Sequence, residues 1–323
     1  YNDPDLVEFI DGYGLGKWGE AHTMKYIDPQ NREAVFNWII DLYLKNFTKI
    51  PLVINYHRWM GAGKDWAGEE NFDPDSKRLL DSACDKGFSL RHDAFGMREY
   101  YGQWERNYVK PWLMKRPVLL EGGWIVSKHP YHNDPSGYRT PKDVRIGEFE
   151  DGKEAHVNMM DFRVGDETMS WFRDAYPLVE RFISEGGYRL YPDSVVVPKE
   201  VKNGSKIRIA HRWNNLGWGY CPTNIPQWNQ KYKVAFALLD KENQVVCSFL
   251  DSQTDLSVWI KGTPVTYEFT PNVRSIKKGE YTWAVALVDT TKGNGSNIKG
   301  LNIAAKGDIT AEGWLKLRNV SVK

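Results

Sequence analysis

Cysteine is scarce: Cys84, Cys221 and Cys247 are the only three in 323 residues, far apart and with no C-x-x-C pair. That excludes a zinc knuckle or a thioredoxin-like redox centre, and an odd number of thiols cannot pair completely. A charge bias is missing too. Lys plus Arg is 43 against 42 for Asp plus Glu, whereas a nucleic-acid binder needs a basic face, so no nucleic acid is expected as a partner. No stretch approaches about 18 uninterrupted apolar residues, so no membrane span is expected. No signal peptide is visible. No low-complexity or repeated segment stands out. The chain opens on Tyr1 rather than Met, which predicts that upstream residues have been removed.

Aromatic residues are abundant: Trp, Tyr and Phe make up 14% of the chain. Flat aromatic faces stack on the C–H faces of sugar rings, and they equally fill large cores. At about 150 residues per domain the length predicts roughly two domains. Residues 1–187 repeat one pattern, a short apolar run ending in polar or Gly-rich residues and followed by an amphipathic stretch. The runs are 6–13, 51–56, 88–93, 117–121 and 155–160, each the length of a buried parallel strand. Helices are expected over 31–48, 75–86, 98–113, 141–153 and 167–185, the first with Val35, Ile39, Leu42 and Leu44 as its inward stripe. Five strand–helix units predict a parallel α/β layer, and the unit length of about 35 residues is close to that of a (β/α)8 barrel. Five units cannot close such a barrel. Either three units lie upstream or the sheet is open; the first, a partial barrel, is favoured because residue 6 already starts a strand with almost nothing before it. From Tyr188 the rhythm changes to short alternating runs separated by turn signals. Residues 188–323 are expected to form an immunoglobulin-like antiparallel β-sandwich.

In a barrel of parallel strands the chemistry sits at the C-terminal strand ends. The first strand runs into a Gly-rich turn, residues 12–19, and then Glu20 and His22, with Trp18 beside them. Leu119-Leu120 runs into Glu121, followed by Gly122-Gly123-Trp124. Two carboxylates at one mouth are what glycoside hydrolysis needs: one as acid and then base, the other as nucleophile. The competing reading makes them ion-pair partners of Lys17, Arg58 or Arg91.

The run from Ile10 to His22 resembles the fourth-strand motif of a bacterial family of barrel-plus-sandwich proteins similar to clan A, β-galactosidase-like glycoside hydrolases. Leu119-Leu120-Glu121-Gly122-Gly123 resembles the seventh-strand nucleophile motif of that clan. Arg212-Trp213-Asn214-Asn215-Leu216-Gly217 resembles part of the C-terminal domain of uncharacterised function in the same proteins. The resemblance implies Glu20 as acid/base and Glu121 as nucleophile of a retaining enzyme. It numbers the strands four to eight, with strands one to three upstream or on a separate chain. It also implies an oligosaccharide or polysaccharide substrate and a periplasmic or extracellular location. One position departs: many clan members carry an Asn that binds the sugar 2-hydroxyl just before the acid/base, and this chain has Gly19. Such a degenerate site is also compatible with a non-catalytic carbohydrate-binding protein.

The remaining strand ends supply further substrate-binding candidates. Tyr56, His57 and Arg58 close the second strand; Tyr56 or His57 is expected either to hydrogen-bond the nucleophile or to stand behind it. Arg91, His92 and Asp93 close the third, with Arg91 expected to lower the pKa of Glu121 and the other two to bind hydroxyls. Asp161 and Arg163 close the fifth. Trp59, Trp66, Trp104 and Trp124 are either stacking platforms or core. His129, His132 and Asp134 fit no strong zinc signature, so no metal is expected, and no cofactor either. In the sandwich, the loop 214–230 is expected to reach over the mouth or to pack between domains.

Overall fold

A computed structural model of the chain describes residues 1–22, 24–61, 72–126 and 131–323. It divides into two compact units, Tyr1–Gly187 with Asn224–Trp228, and Tyr188–Thr223 with Asn229–Lys323.

The first unit alternates strands and helices. In chain order these are β1 (Ile10–Asp11), α1 (Arg32–Asn46), β2 (Leu52–Asn55), α2 (Asp75–Lys86), β3 (Ser89–Phe95) and α3 (Gln103–Val109). There follow β4 (Val118–Gly122), α4 (Pro141–Glu154), β5 (Met159–Asp161), α5 (Asp166–Asp174) and α6 (Tyr176–Glu185). The five strands are parallel and lie in the order β1-β2-β3-β4-β5. The expected section of a (β/α)8 barrel is not what forms. Among the described residues the sheet is an open half-barrel, with β1 pairing only with β2 and β5 only with β4, and six α-helices occur rather than the eight of a barrel. The physical reason is that strand–helix alternation fixes neighbours and direction but not closure. Closing a sheet needs a strand to pair each edge, a long-range condition that no local period records.

Local rules account for the elements. Every residue of β2 is buried, as in a parallel strand covered on both faces. Helix α1 turns Phe36 and Ile40 inward, one position on from the expected Val35 and Ile39, while Leu42 is exposed. Helix α2 buries Leu79, Leu80, Ala83 and Cys84 and stops at Gly87, whose φ of +116° is a left-handed helix cap. Thr140 and Asp143 form a reciprocal cap at the start of α4, with Pro141 in the first turn. The single expected helix 167–185 breaks at Ala175 because Pro177 has no N–H to give the preceding turn.

The second unit contains β6 (Leu190–Val196), β7 (Glu200–Val201), β8 (Ile209–Asn215), β9 (Tyr232–Leu239), β10 (Val245–Asp251), β11 (Val265–Phe269), β12 (Gly279–Asp289) and β13 (Leu315–Val322). They form two sheets, β10-β9-β12-β13-β7 and β11-β8-β6. The antiparallel expectation is corrected at one pair: β7, too short to show as a run, lies parallel to β13. Strand β8 alternates, burying Ile209, His211, Trp213 and Asn215. Trp213 stacks on Trp259 with centroids 4.9 Å apart. Trp59, Trp171, Trp213, Trp259, Trp283 and Trp314 are all fully buried, so much of the tryptophan content is core. All three cysteines are free thiols. Of the loop 214–230, residues 224–228 belong to the first unit. There Asn224 donates to the carbonyl of Lys115, at the end of the sheet from which β4 starts.

Candidate functional site

The turn after β1 fixes Glu20 by backbone bonds. Tyr13 N–H donates to Gly19 O at 2.9 Å, Ala21 N–H to Leu15 O at 2.8 Å and Lys17 N–H to His22 O at 3.2 Å. This fold-back needs two glycines in particular. A Cβ on Gly16 would stand 2.7 Å from the Ala21 backbone, and one on Gly19 would stand 3.3 Å from Gly14 N at a φ of +75°. Gly19 thus meets a local demand for a left-handed residue without a side chain. The Glu20 carboxylate faces inward, with a side-chain exposure of 13%.

Arg91 on β3 is the hub. Its Nε lies 3.0 Å from Asp11 Oδ2 and its Nη1 2.6 Å from Glu20 Oε1, and its Nη2 pairs with Glu121 Oε2. Arg163 Nη1 holds the other Glu121 oxygen, Oε1, at 2.5 Å. One carboxylate oxygen from each of Asp11, Glu20 and Glu121 lies within 4.8 Å of the others. Three such oxygens suit a divalent cation, but the Arg91 guanidinium already pairs with all three residues, and a metal would have to displace it. Burial pushes the Glu121 carboxyl up to about 6; Arg91 and Arg163 work against that rise, while Asp93 and Glu20 add to it. Asp11 is also raised, by burial first and by Glu20 and Asp93 beyond that. Burial disfavours the Arg91 charge, but Glu121, Asp11, Asp93 and Glu20 outweigh it and raise its pKa.

Histidines and a tryptophan wall the site beside Glu20. His57 Nε2 makes a 2.8 Å hydrogen bond with Glu20 O. The His57 ring stacks on His22 at 4.6 Å and on Trp59 at 4.8 Å. Trp59 Nε1 donates to His22 Nδ1 at 3.0 Å, and His22 Nε2 lies 3.2 Å from Glu20 Oε2. Burial lowers the pKa of His57 well below its ordinary value and that of His92 to about 4, so both rings are neutral at pH 7. The β3–β4 register shifts between His92 and Phe95, where Ala94 takes a φ of +54°. Bulges of this kind re-aim side chains next to functional sites. Here Asp93 receives Asn55 Nδ2 at 3.3 Å.

Glu20, Glu121, His22, His57 and Arg91 come together. Trp18, 64% exposed, packs edge-on to His22 at 5.3 Å. Tyr56 is fully buried and donates to Tyr101 Oη at 3.2 Å. Arg58 is buried against Glu105, 2.8 Å away. Trp124 packs on Tyr100 at 5.0 Å, and the Arg163 guanidinium lies 5.4 Å from its ring centre. Asp161 pairs in register with Glu121 on β4, is exposed, and accepts the Arg163 N–H at 2.7 Å. Trp104 stacks on Tyr108 at 5.1 Å. Asp134 is buried and accepts the N–H groups of Arg98, Glu99 and Ser136, a loop-forming role. Trp66 and His129 lie outside the described residues. Asp11 was not among the expected site residues. Its signal is the one used for Glu121, a carboxylate ending a parallel strand.

No protein-family model matches the chain, and no curated protein does. Among solved structures, the CARDB domain of a Pyrococcus furiosus protein, in complex with di-metal ions, aligns at 14% identity and a TM-score of 0.24, covering 42% of this chain and 93% of its own. An endo-beta-1,4-mannanase from Thermotoga petrophila aligns at 10% identity and 0.25, covering 90% of this chain and 61% of its own. A beta-glucosidase from Listeria innocua, in complex with glucose, aligns at 10% identity and 0.25, covering 88% and 42%. Scores this low carry no argument about fold or function.

Proposed function

We propose that the first unit hydrolyses a glycosidic bond in an oligosaccharide or polysaccharide with retention of configuration. The observation that supports this most is the approach of Glu20 and Glu121, with carboxylate oxygens within 4.8 Å. Retaining enzymes hold their carboxyl groups about 5–5.5 Å apart, whereas inverting ones leave about 6.5–9.5 Å for a water. Glu121 attacks the anomeric carbon; a C–O bond to its carboxylate forms as the glycosidic C–O bond breaks. Glu20 gives its proton to the leaving oxygen, then takes one from the water that attacks the same carbon and releases Glu121. The division of roles follows the partners as well as the resemblance. Two guanidinium groups hold Glu121, and with a pKa of about 6 it is anionic at pH 7. Glu20 is held by one guanidinium, that of Arg91, and its other oxygen faces a ring nitrogen of His22. Trp18 is exposed at the rim as a stacking surface, and Asp93, Asp161 and Trp124 are proposed hydroxyl or ring contacts, while fully buried His57 stands behind Glu20.

Glu121→Gln should abolish turnover of any aryl glycoside that the wild type hydrolyses while leaving the melting temperature within a few degrees. Undiminished turnover would reject the assignment. A second reading is a carbohydrate-binding protein without turnover. The single guanidinium bridging both carboxylates favours it, as does Gly19 at the usual Asn position. Saturable oligosaccharide binding with no reducing-end release by the wild type would select it.

A further inference from the structure

The loop after β4 is held from behind by α4 and α5. Buried Glu167, in the first turn of α5, accepts the Ile125 N–H on both oxygens, at 2.9 and 2.8 Å, and the Val126 N–H at 3.1 Å. Arg145 on α4 ties down the same loop. Its Nη1 donates to Gly123 O at 3.0 Å and its Nη2 to Glu167 Oε2 at 2.7 Å. Trp124 rides on this loop, with the Arg163 guanidinium 5.4 Å from its ring centre. The next residue of α5, Thr168, grips Arg163 itself. The Thr168 hydroxyl donates to the Arg163 carbonyl at 2.8 Å, while Asp161 Oδ1 accepts the Arg163 N–H at 2.7 Å. Arg163 is held there at a φ of +61°, a left-handed conformation that a residue with a side chain rarely adopts. Such conformations persist only where the surroundings enforce them, and they cluster at functional sites.

We propose that the first turn of α5 positions the Glu121 clamp: Glu167 fixes the loop that carries Trp124, Thr168 fixes the backbone of Arg163, and together they seat the Arg163 guanidinium against the Trp124 ring and Glu121 Oε1. Neither Glu167 nor Thr168 bonds to Glu121, so both are positioning residues. A mobile arginine side chain gives up rotamer freedom when it pairs with a carboxylate. Here the backbone anchor and the ring, which attracts a cation, hold the guanidinium ready. Only the effect on turnover rests on Glu121 being the proposed nucleophile.

The test is the titration of the Glu121 carboxyl, followed by carbon NMR in the glutamate-labelled full chain and assigned by its loss in Glu121→Gln. Arg91 and Asp93 of β3, Glu20 of the turn after β1, Asp11 of β1 and Asp161 of β5 also face or adjoin Glu121, and all stay in place. Thr168→Val keeps the shape and deletes the hydroxyl; it should raise the midpoint by about half a unit. Trp124→Phe, a weaker platform for a cation, should move it the same way. Thr168→Ser, which keeps the hydroxyl, should titrate like the wild type. In an Arg163→Gln background, Thr168→Val should add nothing. With any glycoside the wild type hydrolyses, Thr168→Val should lower kcat/KM about threefold at pH 6. A wild type that turns over no glycoside would sink the hydrolase reading and leave the titration to decide the positioning role. An unmoved midpoint in Thr168→Val or Trp124→Phe, a shift in Thr168→Ser, or an undiminished shift in the Arg163→Gln background would each overturn it.

Discussion

Trp59 donates its indole N–H to Nδ1 of His22 at 3.0 Å. An indole nitrogen only donates, so Nδ1 must carry the lone pair, and the proton of a neutral His22 sits on Nε2. That is the nitrogen 3.2 Å from Glu20 Oε2. Trp59 thereby sets which atom of the imidazole meets the proposed acid/base.

Trp59→Phe keeps a ring in the stack but removes the donor. It should cost about 2 kcal/mol of stability, from the orphaned buried acceptor and the smaller ring. It should also lower kcat/KM about tenfold, because His22 is free to take its other tautomer. A thermal melt and steady-state kinetics check both. An unchanged kcat/KM would separate His22 from Glu20.

Turnover should fall on the acid side with a midpoint near 6, where the buried Glu121 carboxyl takes up its proton. A protonated carboxyl is no nucleophile, so the loss appears in kcat/KM below that value and not above it. A flat acid limb down to pH 4.5 would contradict the role given to Glu121.

Arg163 works to lower the Glu121 pKa, and its Nη1 is 2.5 Å from Oε1. In Arg163→Gln that support is gone, so the acid limb should move to higher pH by about one unit. A move to lower pH, or none, would show that Arg163 does not act on Glu121.

Behind β4, Arg145 is buried between two carboxylates, with Nη1 2.5 Å from Glu148 Oε1 and Nη2 2.7 Å from Glu167 Oε2. Arg145→Met strands both and should cost about 3–5 kcal/mol. Burial, opposed by Arg145, pushes Glu148 up to about 7. A carboxyl raised on folding contributes stability that is full below its unfolded pKa, near 4.5, and is lost as pH rises through about 7. Glu148→Gln, which resembles the protonated acid, should therefore flatten the fall in stability between pH 5 and 8. Denaturant unfolding across that range measures it.

Much of the first unit was legible because local rules decide it. The runs 51–56, 88–93 and 117–121 became β2, β3 and β4, whereas 6–13 and 155–160 left only the short β1 and β5, neither of them buried, and Gly87 and Thr140 ended and started helices where cap chemistry requires. That five units cannot close an eight-stranded barrel was legible; whether they form a section of one or an open half-barrel was not, since the same alternation serves both. At the second strand end, Tyr56, His57 and Arg58 follow one another in sequence yet take different partners: Tyr101, the Glu20 carbonyl and Glu105. Successive side chains leave an extended chain on opposite faces, so adjacency does not make one site. The Arg91 clamp joins residues from β1, the turn after it, β3 and β4, a convergence that only the folded sheet brings about. Pro177 was visible and marked the break between α5 and α6, but the apolar periodicity of 167–185 runs across it.

The central claim is that Glu121 forms a covalent bond to sugar while Glu20 supplies the proton. The direct measurement is mass spectrometry of the protein after incubation with a panel of 2-deoxy-2-fluoro aryl glycosides, which slow release of a glycosyl-enzyme. The account predicts a mass increase of one fluorosugar, mapped to the peptide containing Glu121 and absent in Glu121→Gln. A label on any other residue, or hydrolysis of the parent glycosides with inversion, would contradict it.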